Sequence, residues 1–221
     1  MRTLKRAARR ARAGLTLLEL AIAAVIVAMM FGAVAITVLR ADGAYREAEL
    51  GAEVERDSER ALERVAREFM DAARTSVTLT PAAPLQGTSI SYRRATGWGG
   101  GALQLSPTRR IRFELDAAEL ADGLDNDGDG LADEGRVVLA TDVVGGGTQA
   151  VLVTGVAALT QGELDNGADD NGDGRIDEPG FFADFDAATS TLFLSLTLAT
   201  RADDGRVVTR SARLSVRIRN G

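Results

Sequence analysis

Cysteine and histidine are both absent from the 221 residues. A disulfide framework is therefore excluded, as are a thiol nucleophile, a histidine general base and a Cys/His zinc site. Acids are absent from residues 1–14, which hold Arg2, Lys5, Arg6, Arg9, Arg10 and Arg12. Charge of either sign is absent from residues 20–39, and proline from residues 41–74. Each of these gaps marks out a segment.

The uncharged run comes first in importance. Twenty such residues make a helix about 30 Å long, enough to cross the core of a bilayer. The basic segment before it predicts a cytoplasmic N-terminus and export of everything after Arg40. A secretory signal peptide fits poorly, because the apolar run is too long and lacks a clear small-x-small exit site. One carboxylate, Glu19, stands directly before the run, inside the apolar stretch that begins at Leu15. A charge at the centre of a membrane helix costs roughly 2.5–3.5 kcal/mol, and less near an end, so a residue of this kind calls for a partner.

Past the membrane run, residues 41–74 are dense in Ala, Glu and Arg. Leu50, Val54, Ser58, Ala61, Leu62, Val65, Phe69 and Ala72 recur at spacings of three and four, an amphipathic helical stripe. Glu63 and Arg67 stand in the favourable i,i+4 order. The pattern predicts one near-continuous helix, with Gly43 and Gly51 as bend points, whose second half needs a sheet to pack on. From residue 75 onward the chain turns β-branched and Gly-rich. Strands are expected over 76–80 (closed by Pro81 and Pro84), 89–93, 103–105, 110–115, 137–139 and 151–153, with a turn at Gly145–Gly147. A closing hairpin is expected over 191–200 and 206–219. The fold class expected is α+β, a long N-terminal helix on an antiparallel sheet. Trp98, flanked by glycines, is expected to tuck onto the core.

Two acidic segments interrupt the strands. Residues 119–134 and 163–178 align without gaps at an offset of 44, with nine of sixteen positions identical and seven acids in each. Hard cations such as calcium take six to eight oxygens, and a tight loop with acids at positions 1, 3 and 5 points several of them inward. Asp125, Asp127 and Asp129 with the Leu131 carbonyl form one candidate site. Asp169, Asn171 and Asp173 with the Arg175 carbonyl form the other. Gly130 and Gly174 sit at the sharp turn of position 6. These loops resemble EF-hand-like and thrombospondin type 3-like calcium loops. Position 12 departs from the EF-hand, since Arg136 and Gly180 replace its glutamate. The closing ligand falls to Asp133 or Glu134, and to Asp177 or Glu178. Two calcium ions are thus expected; the competing reading is a pair of solvated acidic turns, because Asp, Asn and Gly favour turns in any case. Nothing positive points to an enzyme.

The N-terminal junction, a basic leader, Gly14 and then Leu15-Thr16-Leu17-Leu18-Glu19, resembles the prepilin-type cleavage and methylation motif of type IV pilins and type II secretion pseudopilins. The resemblance implies that a membrane prepilin peptidase cuts after Gly14 and methylates Leu15, where the family more often has Phe. It also implies that Glu19 pairs with the N-terminal ammonium of a neighbouring pilin or pseudopilin subunit. It implies a lollipop-shaped subunit in four parts: leader 1–14, transmembrane helix 15–39, amphipathic helix 40–74 and β domain 75–221. Such a subunit sits in the bacterial inner membrane, its globular part periplasmic or on an extracellular filament. Segments 55–74 and 213–220 are similar to those of J-type minor pseudopilins and W-type minor pilins. Without its leader the chain carries 20 basic and 32 acidic side chains, near −12, which disfavours nucleic acid as a partner. Two alternatives remain: DNA or surface binding through the arginines of the last hairpin (Arg201, Arg206, Arg210, Arg213, Arg217 and Arg219), or a membrane-anchored calcium domain outside any filament.

Overall fold

The computed structural model describes residues 16–80 and 89–220. The leader, the Gly14–Leu15 junction and Pro81 and Pro84 lie outside the described residues. The first element is a single helix, α1 (Leu17–Phe69, 53 residues). It opens on a capping box: Glu19 N–H donates to Thr16 Oγ1 at 3.2 Å, and Thr16 N–H donates back to Glu19 Oε2 at 3.0 Å. Such reciprocal bonds satisfy amides that have no partner within the helix.

Chain contacts separate residues 1–46 from residues 47–221. In the first unit the described residues, from Thr16 on, are exposed. The apolar run there is long enough for a single-pass membrane anchor. Its lone hydroxyl, on Thr37, donates to the Ala33 carbonyl at 2.9 Å, as a polar group in lipid must find its partner within the segment.

In the second unit α1 buries Gly51, Val54, Ser58, Ala61, Leu62, Val65, Ala66 and Phe69, close to the stripe read from the sequence. Burying each large aliphatic or aromatic side chain contributes about 1.5–3 kcal/mol before entropy is counted. Ser58 can be buried because its hydroxyl donates to the Glu55 carbonyl at 2.8 Å. The expected bends at Gly43 and Gly51 do not break the helix. Gly51 instead gives room to the Arg210 guanidinium, which a side chain there would strike. The helix also ends earlier than residue 74, at Phe69, because Ala72 and Ala73 enter β-bridges with Arg94 and Asn220.

A short 3₁₀ turn (Arg74–Ser76) leads to β1 (Thr78–Thr80), β2 (Ser89–Tyr92), β3 (Ala95–Gly99), β4 (Ala102–Leu105), β5 (Arg109–Leu115) and β6 (Gly135–Ala140). The chain continues with β7 (Gln149–Val156), β8 (Phe181–Asp186), β9 (Thr191–Arg201) and β10 (Val207–Arg217). The main sheet is antiparallel, in the order β1-β2-β5-β6-β7-β9-β10, with β8 also paired to β9. Ile111 and Phe113 alternate with polar Arg110, Arg112 and Glu114 on β5, and only the apolar pair is buried. Core side chains from α1 meet those of the sheet at Phe69 and Tyr92, whose rings lie 4.8 Å apart. The Tyr92 hydroxyl donates to Glu68 at 3.0 Å, and Arg94 and Arg109 close on the same carboxylate at 2.9 and 3.3 Å. Burial, then the Glu68 charge, raises the Tyr92 pKa.

Trp98 overturns its expectation, being 74% exposed. It lies on β3, which pairs with β4 in a separate two-stranded ribbon, and half of a ribbon's side chains face away from any layer beneath. The strand expected at 76–80 begins only at Thr78, and β8 extends over a segment the periodicity did not single out.

Candidate metal centre

Both acidic segments join strands of the main sheet: the first lies between β5 and β6, the second between β7 and β8. Each is tied at its base by equivalent backbone bonds, Asp116 N–H to the Glu134 carbonyl (3.1 Å) and Thr160 N–H to the Glu178 carbonyl (2.8 Å). Gly130 and Gly174 take φ of +93° and +92°, values that exclude a side chain without strain. The repeat in sequence is thus a repeat in geometry.

Inside each loop the aspartates fold the backbone around themselves. Asp125 accepts from Gly128 N–H (2.6 Å) and Gly130 N–H (2.8 Å), and Asp169 from Gly172 N–H (2.7 Å) and Gly174 N–H (2.8 Å). Asp127 and Asn171 accept from the amides of Asp129 and Asp173, two residues on. Asp129 and Asp173 accept likewise from Leu131 and Arg175. Side-chain oxygens at positions 1, 3 and 5 are thereby held in fixed orientations, short of a full shell.

The positions after the glycine divide their roles. Asp133, at φ +52°, accepts from Asp122 N–H (3.0 Å) and Gly123 N–H (2.8 Å). Asp177, at φ +49°, accepts from Asn166 N–H (3.2 Å) and Gly167 N–H (2.9 Å). Both aspartates therefore staple the start of their loops. Glu134 differs: it is 2% exposed, and among the described residues neither of its carboxylate oxygens has a hydrogen-bond partner. Asp127, Asp129 and Glu134 bring carboxylate oxygens within 4.8 Å of one another. Burial, aided by the charges of Asp129, Glu119 and Asp127, pushes the Glu134 pKa up to about 7. A buried, unpartnered carboxylate is costly, and a cation between the three acids would satisfy it.

The second loop is similar but not equal. Glu178 is 6% exposed, with Oε2 unpartnered, and burial followed by the Asp173 hydrogen bond raises its pKa to about 7. Asp173 is held below the usual carboxylate range, chiefly by Arg213, whose Nη2 donates to its Oδ2 at 2.7 Å. With Asn171 in place of Asp127, no trio of carboxylates converges here among the described residues. Arg175 turns its guanidinium over the Phe182 ring at 4.4 Å, so only its carbonyl is available to the loop.

Glu119 and Glu163 hold the two loops, a part that the motif spacing did not assign to them. Glu119 accepts from the amides of Asn126 (2.9 Å), Asp127 (2.9 Å) and Asp133 (3.2 Å); Glu163 accepts from those of Asn171 (3.0 Å) and Asp177 (3.1 Å). Each glutamate pins the far side of its loop from beneath. The sequence signal was there, since both head the sixteen-residue repeat. The last hairpin also meets both loops: Arg213 reaches Asp173, and Arg201 donates to the Asp129 carbonyl at 3.1 Å. Arg206 instead pairs with Glu47 and Asp204, each at 2.8 Å.

The residues present suit a hard, oxygen-seeking cation: carboxylates, an amide and carbonyls, with no nitrogen or sulfur donor in either loop. No protein-family model, curated protein or solved structure matches the chain.

Proposed function

We propose that this chain is a filament subunit of the type IV pilin-like class, a minor pilin or type II secretion minor pseudopilin. In this reading prepilin peptidase cuts after Gly14 and methylates Leu15, and calcium stabilises the globular part. The observation that carries the subunit reading is α1 itself. It is one 53-residue helix, apolar and exposed at its start, then amphipathic and buried along one face. An anchor alone needs no such continuation, whereas a helix that must both cross a membrane and carry a domain does.

Calcium, when bound, would supply the positive charge that Glu134 and its neighbours lack. Asp125, Asp127, Asp129 and Glu134, with the Leu131 carbonyl, would hold it in the first loop; Asp169, Asn171, Asp173 and Glu178, with the Arg175 carbonyl, in the second. Asp133, Asp177, Glu119 and Glu163 orient the backbone. The role is structural. Arg201 of β9 and Arg213 of β10 support the loops in this reading, which leaves fewer arginines of the hairpin for DNA. Glu19 serves twice, capping its own helix and meeting the N-terminus of a neighbouring subunit.

Processing tests the assignment. Coexpressed with an active prepilin peptidase, the protein should start at an N-methylated Leu15 by mass spectrometry, and Gly14→Val should retain the leader. An intact Met1 in the presence of active peptidase would overturn the filament-subunit reading.

A further inference from the structure

We propose that Arg213 is a built-in competitor for the second acidic loop, so that calcium enters that loop only by displacing the Arg213 guanidinium from Asp173. The inference rests on the calcium reading of the loops and adds an order of binding to it: the first loop fills at low calcium, the second at higher calcium.

The geometry is specific to one loop. Asp173 occupies position 5, whose carboxylate a calcium loop turns inward, and its Oδ2 already accepts from Arg213 Nη2 at 2.7 Å. Its other oxygen accepts from Arg175 N–H at 3.2 Å. Glu178, nine-tenths buried and with no hydrogen-bond partner for Oε2 among the described residues, lines the same cavity as Asp173 and Arg213, so an unmet acceptor stands beside the aspartate. In the first loop the hairpin arginine takes a different target. Arg201 donates to the main-chain carbonyl of Asp129, and among the described residues no guanidinium pairs with the Asp129 carboxylate. Asn171 also replaces Asp127 at position 3, so the second loop has one carboxylate fewer among positions 1, 3 and 5.

Displacement is feasible because the Arg213 side chain is 62% exposed and its charge can move into water. Ion pairs of this exposure contribute about 0.2–1 kcal/mol, so releasing one should weaken cation binding up to about fivefold. The carboxylate missing from position 3 adds to that difference but is separable from it by mutation.

The test is calorimetric titration of the detergent-solubilised full chain with calcium chloride. The wild type should bind in two unequal steps, and Asp173→Ala should remove the weaker one. Arg213→Gln should tighten the weaker step about two- to fivefold and leave the tighter step unchanged, whereas Arg213→Lys should hold it near wild type. An Arg213→Gln titration identical to wild type would overturn the competition and leave the calcium reading standing, as would loss of the tighter step in Asp173→Ala. No heat of calcium binding in any variant would overturn both.

Discussion

The two acidic loops share nine of sixteen residues and nearly the same internal hydrogen bonds, yet they handle their charge in opposite ways. In the first, two aspartates converge on a buried glutamate that has no donor among the described residues. In the second, an amide replaces one carboxylate and an arginine from a distant strand neutralises another. Backbone shape follows from the repeated glycines and Asx bonds. Charge balance follows from what the rest of the sheet brings alongside. Duplication of a motif therefore does not duplicate its charge balance.

The largest expected effect is the gain from calcium itself. Metal bound only by the folded chain stabilises it by about 2.7 kcal/mol at 100 times Kd, which for a domain of this size raises Tm by roughly 5–10 °C. Melting in millimolar calcium against chelator measures it, and magnesium should do less because it demands tighter octahedral geometry. Identical curves would reduce both loops to solvated turns.

Replacing the unpartnered acid comes next. Glu134→Gln should stabilise the chain in chelator by about 1–3 kcal/mol, the order of an unmet buried polar group, while cutting the calcium-induced gain. A cluster that merely bonds its own backbone would show no such reversal of sign. The same glutamates set a pH dependence. Both Glu134 and Glu178 have folded pKa values near 7, above the ordinary 4.5. Between about pH 4.5 and 7 the folded chain therefore holds protons that the unfolded chain has lost. This contribution to stability is complete below about 4.5 and is lost as pH rises through 7. Chelator melts across that range should show the decline, and the double variant Glu134→Gln/Glu178→Gln should lack it.

A smaller effect separates the loops directly. Asp129→Ala should remove more of the calcium-induced Tm gain than Asp173→Ala at calcium just above the first Kd, and the two should converge at saturation. Equal losses at every concentration would erase the asymmetry between the loops.

The smallest expected effect lies at the other end of the chain. Glu19→Gln keeps the capping box, which accepts either residue, and removes the charge. Filament entry, measured in sheared-filament fractions, should fall in Glu19→Gln and Glu19→Ala alike if the charge meets a neighbouring subunit. Loss in Glu19→Ala alone would leave only the bond that Glu19 accepts from Thr16 N–H in the capping box.

Local pattern determined much of this protein. The uncharged run, the three-and-four stripe from Leu50 to Phe69, the alternation in β5 and the last hairpin, and the repeated Asp-Gly spacing all act within a few residues. Their periods are set by the backbone, so α1, most of the strands and the shape of the two loops were legible. The Gly14–Leu15 junction is legible only as a motif. What tertiary structure decided depends on which distant segments meet. Trp98 reads as a core residue until β3 and β4 form a ribbon apart from the main sheet. Gly51 reads as a bend until Arg210 packs on it. Asp133 and Glu134 are interchangeable by spacing, and only the fold turns one onto backbone amides and buries the other without a partner. Arg213 stands forty residues from Asp173, and no local pattern links them: the strand order brings the guanidinium to the carboxylate, because electrostatic pairing acts through space, not along the chain.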